Sequence, residues 1–254
     1  MFYDKYYIPN REGRRLACLL FLPTGQPRFQ LVVAHGFRGA KENSGRIEIF
    51  AKKVTDLGGS VLAFDFAGSG ESEGSFSEMT LSRQAQDLQT VIEHALGREK
   101  SPLIVLGRSF GGSTALVATA REPRVKALIL WSAPVFLTET FFNVRPHELV
   151  LPTRPLEIED DKGTFTLGPG FAKDLLQHDF SEYLQSIGER PLLVVHGEND
   201  TEVDPKNARF LGEQAVGAVE VHIVPGADHR FSGHQSLREE ITLQWLGNIL
   251  ARMA

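Results

Sequence analysis

One serine, one carboxylate and one imidazole in this 254-residue chain could together perform nucleophilic catalysis: Ser109, Asp200 and His229. A serine hydroxyl is barely ionised at neutral pH. It attacks only when a neutral imidazole takes its proton, and the imidazole needs a carboxylate to fix its tautomer and stabilise the imidazolium. Ser109 sits in Gly107-Arg108-Ser109-Phe110-Gly111, between the apolar run 103–106 and the alanine-rich run 113–120. That context predicts a buried strand turning sharply into a helix, which strains the middle residue and pushes its hydroxyl out at the carboxyl edge of a sheet. The Phe110 amide starts the helix and points at whatever the serine attacks. The Phe37 amide, in the glycine-rich loop His35-Gly36-Phe37-Arg38-Gly39, is the natural second donor to an oxyanion.

Other candidates compete for these roles. Gly70-Glu71-Ser72-Glu73-Gly74 repeats the serine pattern, but no strand runs into it and two carboxylates would oppose a developing oxyanion. Ser72 therefore reads as a loop serine, Asp65 as an anchor of the same loop and the His35 side chain as a buttress. Glu198, Glu202 and Asp204 share the Asp200 loop, Asp228 adjoins His229, and His234 is the rival base. No His, Asp or Glu cluster has metal-ligand spacing, and the expected chemistry requires neither metal nor cofactor.

The positioning elements follow from hydrophobic patterning. Apolar runs at 31–34, 60–64, 103–106, 125–131, 191–195 and 219–224 predict buried strands, and 47–57, 81–96, 113–120 and 237–250 predict helices. A hairpin over 3–8 and 15–22 leads into them. Strands alternating with helices predict an α/β fold, a mostly parallel twisted sheet with helices on both faces. Ser109, Asp200 and His229 each follow a strand, so their loops share one edge and can converge.

From 134 to 187 the alternation stops. This stretch carries prolines, the phenylalanines Phe136, Phe141, Phe142, Phe165, Phe171 and Phe180, and a hairpin signal over 156–159 and 164–167 around Asp160-Asp161-Lys162-Gly163. It is expected to be an inserted lid on the Ser109 edge, dividing the core into 1–133 and 188–254. Arg108, Phe136 and Phe165 are the expected substrate-pocket residues.

Composition bounds the partners. A net charge of −5 with scattered Lys and Arg leaves no basic face for nucleic acid and no polybasic membrane patch. Cys18, the single cysteine, cannot form an intrachain disulfide and reads as an inert core residue. No segment has signal-peptide character or bilayer-spanning length, so a cytoplasmic protein acting on a small-molecule ester is expected, with a homodimer left open.

Taken together, these motifs resemble the α/β-hydrolase superfamily over essentially the whole chain. His35-Gly36-Phe37 resembles its oxyanion loop, Asp65 to Gly74 its Asp-x-x-Gly-x-Gly-x-Ser loop, and Gly107 to Gly111 its nucleophile elbow. Gly197-Glu198-Asn199-Asp200 resembles its acid loop and Gly226-Ala227-Asp228-His229 its histidine loop. Within the superfamily the chain is similar to bacterial cinnamoyl (feruloyl) esterases, a group that merges into sequences of the serine aminopeptidase type. That similarity rests on His35 to Gly39, on Asp65-Phe66 with Gly68-Ser69-Gly70, and on a lid carrying Phe165-Thr166-Leu167-Gly168; Arg108 stands where those esterases usually carry His. The resemblance implies a serine carboxylesterase acting through an acyl-enzyme on Ser109, on small esters, with aromatic hydroxycinnamate-type esters as the finer expectation. A peptidase or thioesterase with the same triad, and a non-catalytic binding protein on the same fold, are the alternatives.

Overall fold

The computed structural model describes residues 2–160 and 163–253. An antiparallel hairpin, β1 (Phe2–Pro9) and β2 (Arg15–Leu22), opens the chain. Alternation follows: β3 (Phe29–Ala34), α1 (Arg46–Asp56), β4 (Gly59–Phe64), α2 (Leu81–Arg98), β5 (Leu103–Arg108), α3 (Phe110–Ala120) and β6 (Val125–Trp131). An irregular stretch then holds α4 (Leu137–Phe142), the hairpin β7 (Leu156–Asp160) and β8 (Gly163–Leu167), α5 (Gly170–Leu175) and α6 (Phe180–Ile187). Of its turn, Asp161 and Lys162 lie outside the described residues. The pattern resumes with β9 (Leu192–Gly197), α7 (Lys206–Gln214) and β10 (Val219–Val224), and closes on α8 (Gln235–Met253).

The main sheet has the order β1-β2-β4-β3-β5-β6-β9-β10, parallel from β4 to β10. Within it, successive side chains of β3 and β5 enter opposite cores. Val32, Ala34, Leu103 and Val105 join one, Phe29, Leu31, Ile104 and Leu106 the other. A strand covered on both faces has no polar side, which is why these segments read as unbroken apolar runs. One core is closed by α1 and α8 through Phe50, Val54, Trp245 and Leu246, the other by α2 and α3 through Leu88, Ile92 and Leu116. Because β3 lies between β4 and β5, the loops leaving β3 and β5 are neighbours at the carboxyl edge, where open α/β sheets hold their ligands.

Helix α8 begins two residues before its apolar stripe, with the Arg238 amide already bonded to the His234 carbonyl. First-turn positions carry no periodic signal, so the sequence pattern places that start late. Among the described residues no helix is long and apolar enough to cross a membrane.

Candidate active site

Ser109 links β5 to α3 with φ 51° and ψ −131°. A left-handed φ is costly for a non-glycine residue and persists only where the surroundings impose it. Here the Ser109 amide donates to the Trp131 carbonyl at 2.7 Å, and the Ser109 carbonyl accepts from the Gly112 amide at 2.7 Å. Glycine at 107 and 111 is needed for close approach. A methyl on Gly107 would overlap the Gly111 carbonyl, and one on Gly111 would overlap the carbonyls of His35 and Ala34. Helix α3 is thereby pressed against both its own strand and the loop after β3.

The three expected groups meet. His229 Nε2 lies 3.0 Å from Ser109 Oγ, and His229 Nδ1 lies 2.8 Å from Asp200 Oδ2. Asp200 Oδ1 accepts from the Glu202 and Val203 amides at 3.0 and 2.8 Å. Burial alone would raise the Asp200 carboxyl. Hydrogen bonds from His196 and His229, the positive field of His229 and the Val203 amide outweigh it and hold the group far below the usual carboxylate range. His196, fully buried, has no role in the sequence reading. Its Nε2 lies 2.8 Å from the Val203 carbonyl and 3.2 Å from Asp200 Oδ2, so it ties the acid to its own loop. Its position four residues before Asp200, at the end of β9, was the available signal.

The rivals are engaged elsewhere. Ser72 Oγ donates to the Asp65 carbonyl at 2.6 Å and accepts from the Ala17 amide at 2.8 Å. Asp65 accepts from the Lys41 amide, Lys41 Nζ and the Glu71 amide at 2.6, 2.8 and 2.9 Å, which makes it the expected loop anchor. Lys41 is a buried partner that sequence gave no reason to single out. Asp204 caps α7 through the Lys206 amide, Asp228 accepts from the Ser232 amide, and Glu198 accepts from the Gly226 amide. His234 Nδ1 sits 3.1 Å from the Ser232 carbonyl. Glu202 is exposed, 3.9 Å from His229 Nε2.

On the other side of Ser109 the β3 loop is braced by His35. The Phe66 amide donates to His35 Nε2 at 3.2 Å, so the ring's proton is on Nδ1 and is donated to the Gly36 carbonyl at 2.8 Å. Burial lowers the His35 pKa, which favours this neutral form. Gly36 packs on the nucleophile: a methyl there would sit 3.0 Å from Ser109 Cβ. Phe37 follows it in the wall of a cavity of about 780 Å³ that Ser109 and His229 also line, while Phe110 opens α3 immediately after Ser109.

The cavity wall departs from expectation in its aromatic residues. Arg108 lines it; Phe136 and Phe165 do not. Phe136 pairs with Phe210 of α7 at 5.1 Å. Phe165 stands edge-on to Phe37 and Phe76, at 5.6 and 5.7 Å, with the Arg38 guanidinium 4.4 Å over its ring. Phe141 and Phe171 join the same cluster around Phe37 and Phe110. Edge-to-face and tilted contacts satisfy these rings among themselves, so Phe141, Phe165 and Phe171 build a small core that bears on Phe37 of the β3 loop.

A parallel sheet with a serine on a strained strand-to-helix turn, a histidine and an aspartate from later strands, defines an α/β-hydrolase. The sequence profile of the serine aminopeptidase S33 family matches residues 25–154, just over half of the 254 residues, and the chain belongs to that family. Human monoglyceride lipase is 32% identical over 164 residues, covering 60% of this chain and 52% of the human one. The chain spans about half the length of the human, rat and mouse monoglyceride lipases it matches. A monoacylglycerol lipase of Mycolicibacterium smegmatis is 26% identical over 249 residues, covering 85% of this chain and 86% of that one. Among solved structures, Est1E from Butyrivibrio proteoclasticus with bound ferulic acid aligns with a TM-score of 0.84 at 22% identity, covering 97% and 99% of the two chains. At that identity the likeness is one of fold.

Proposed function

We propose that the protein is a serine ester hydrolase working through an acyl-enzyme on Ser109. The observation that carries this reading is the unbroken hydrogen-bonded line from Ser109 through His229 to a deeply ionised Asp200, ending in an open cavity. His229 Nε2 accepts the hydroxyl proton as Ser109 Oγ attacks the ester carbonyl, and Asp200 stabilises the imidazolium. The Phe37 and Phe110 amides hold the oxyanion. The tetrahedral intermediate collapses with loss of the alcohol, which takes its proton from His229. Water, activated by the same imidazole, then releases the acid and regenerates Ser109. The names of the lipase relatives support ester chemistry.

Residues 134–187 are assigned as a lid, supported by Asp160 of β7, which lines the cavity and is ion-paired to Arg38. The finer reading, an aromatic hydroxycinnamate-type ester, draws support from the fold shared with Est1E and none from Phe136 or Phe165.

The test is a paired assay on a short-chain aryl ester and methyl ferulate. Ser109→Ala is expected to lower kcat by roughly 10³ or more with thermal unfolding unchanged. Turnover of the aryl ester alone keeps the mechanism and discards the hydroxycinnamate substrate. A folded protein that hydrolyses neither, and that a fluorophosphonate does not label at Ser109, is a binding protein. A matched anilide tests the peptidase alternative that the family name raises, because an amide demands protonation of a poorer leaving group.

A further inference from the structure

The cavity beside Ser109 continues inward beneath α1 and α8, and its inner end is unusually cationic for a buried space. Arg108, Arg46 and Arg238 all line it. Arg46 is neutralised, 3.2 Å from Glu239, whose other oxygen takes Lys53 at 2.8 Å. Among the described residues neither of the other two has a carboxylate at ion-pair distance; Glu202 acts on Arg108 and Glu239 on Arg238 from further away. Arg108, buried except at the cavity, donates to the neutral Asn43 side chain at 2.8 Å, and its Nε has no hydrogen-bond partner. Arg238 is 2% exposed, forms no ion pair among the described residues, and its Nε is likewise unpartnered. Its guanidinium carbon lies over two rings, 4.0 Å from the centre of Trp131 and 4.9 Å from that of Phe231.

Two guanidinium groups, one buried and one largely so, that repel one another and have carboxylates only at a distance are expensive to maintain, since desolvation costs several kcal/mol per ion unless a close counter-charge repays it. Burial pushes Arg238 down to about 9, with Arg108 and Arg46 adding to the fall against Glu239. Burial also lowers Arg108, opposed by Glu202 and assisted by Arg230. The arrangement is nevertheless built with care. Asn43 and Ser44, which precede α1, both have left-handed φ, 47° and 55°, so the partner of Arg108 is delivered by strained backbone. Phe231, a buried aromatic two residues after His229, has φ 56° and forms one wall of the Arg238 slot. Strained backbone and guanidinium groups without a close carboxylate converge on one space, and that space opens onto the nucleophile.

We propose that this inner end binds an anionic group of the substrate, a carboxylate held by Arg108 and Arg238, so that the ester the protein hydrolyses carries a free acid elsewhere in the molecule. This rests on the ester-hydrolase reading above. The planar fork of a guanidinium matches a carboxylate, and the pair strengthens when water is excluded. The reaction itself is ordinary hydrolysis: water adds across the acyl–oxygen bond to give acid and alcohol, and the bound carboxylate is unchanged. It can belong to the acyl part, as in a half-ester of a dicarboxylic acid, or to the alcohol part.

The experiment uses two matched pairs. For the acyl part, mono-4-nitrophenyl adipate is compared with 4-nitrophenyl hexanoate; for the alcohol part, 4-acetoxybutanoate is compared with butyl acetate. The anionic member of one pair is expected to be preferred by about tenfold or more in kcat/KM, the worth of one charge-assisted, desolvated contact. Arg108→Gln should bring that ratio close to one. In parallel, calorimetry on folded Ser109→Ala measures binding of the intact esters without turnover. Equal treatment of both pairs by the native enzyme, with equal binding by Ser109→Ala, overturns the proposal and leaves Arg238 as a stacking residue only. Tighter binding of an anionic ester with no turnover of any ester supports the anion site and sinks the hydrolase reading, so the two failures are distinct.

Discussion

Ser109, His229 and Asp200 form a hydrogen-bonded line, the proposed catalytic relay, whose geometry depends on residues outside it. His196 is the clearest. One ring nitrogen spans the Val203 carbonyl and Asp200 Oδ2, closing the loop that presents the acid. His196→Ala is expected to lower kcat by roughly 10- to 100-fold with little change in KM, because a displaced Asp200 misaims the imidazole. His196→Gln, whose amide nitrogen can reach the Val203 carbonyl, should recover part of the loss. Steady-state kinetics of the two variants decides this. A fall in stability alone, with kcat unchanged, would remove His196 from the relay. The meeting of these three groups was legible in the sequence, because each lies in the turn or loop that follows an apolar run. His196 was not, because a histidine at the end of a strand looks the same whether it braces a loop or merely fills the core.

The elements set the geometry through contacts that leave no room for a side chain. Helix α3 touches the carbonyls of Ala34 and His35 at Gly111, and this brings the two loops that carry Phe37 and Ser109 side by side. Gly111→Ala forces backbone apart on backbone. A loss of about 3 kcal/mol is expected, seen as a fall in Tm of roughly 5–10 °C, with activity lost in proportion to any residual misalignment. An unchanged Tm would show that α3 can shift freely. Long elements such as α2 were readable from their periodicity, whereas α4, α5 and α6, of 6, 6 and 8 residues, are too short to display one. Phe136 and Phe165 do not line the cavity: without knowing that one packs on Phe210 and the other on Phe37 and Phe76, a phenylalanine facing a cavity and one facing other phenylalanines are indistinguishable.

Across the molecule, carboxylates held ionised by partners bind sheet, loops and insertion together. Asp174 of α5 accepts from the Ser82 amide at 3.0 Å at the start of α2 and lies 3.3 Å from His178. Burial opposes ionisation there, but His178 and Ser82 prevail and lower its pKa. Asp200 and Glu71 are also lowered, Glu71 to about 2 by Lys41 and Lys5. A carboxyl depressed in the folded state contributes stability that is complete above its unfolded pKa and is lost as pH falls through the folded value. Asp87 has the opposite sign, since burial raises it despite bonds from the Ala67 amide and Asn10. Glu73, Glu78, Glu122 and Asp228 are lowered as well, so that among the described residues seven depressed carboxyls stand against one raised, and Tm should fall as pH drops from about 4 toward 2, ordinary carboxyls titrating near 4. Asp174→Asn should flatten that fall. A Tm curve identical to that of the native protein would mean that Asp174 does not couple the insertion to α2.

What the sequence determined by itself was the order of the buried strands with α1, α2, α3 and α8, the serine on its turn, and the aspartate and histidine that meet it; α7, like the helices of the insertion, was not read. These are properties of local patterning and of loops forced to one sheet edge by parallel strands. Only the tertiary structure decided what surrounds them. Arg108 and Arg238, 130 positions apart, share one cavity because α8 returns across the sheet face that also carries Trp131. No pattern along the chain reports such a meeting, since the charge of a buried space is the sum of side chains that converge only when the two faces of the sheet are closed.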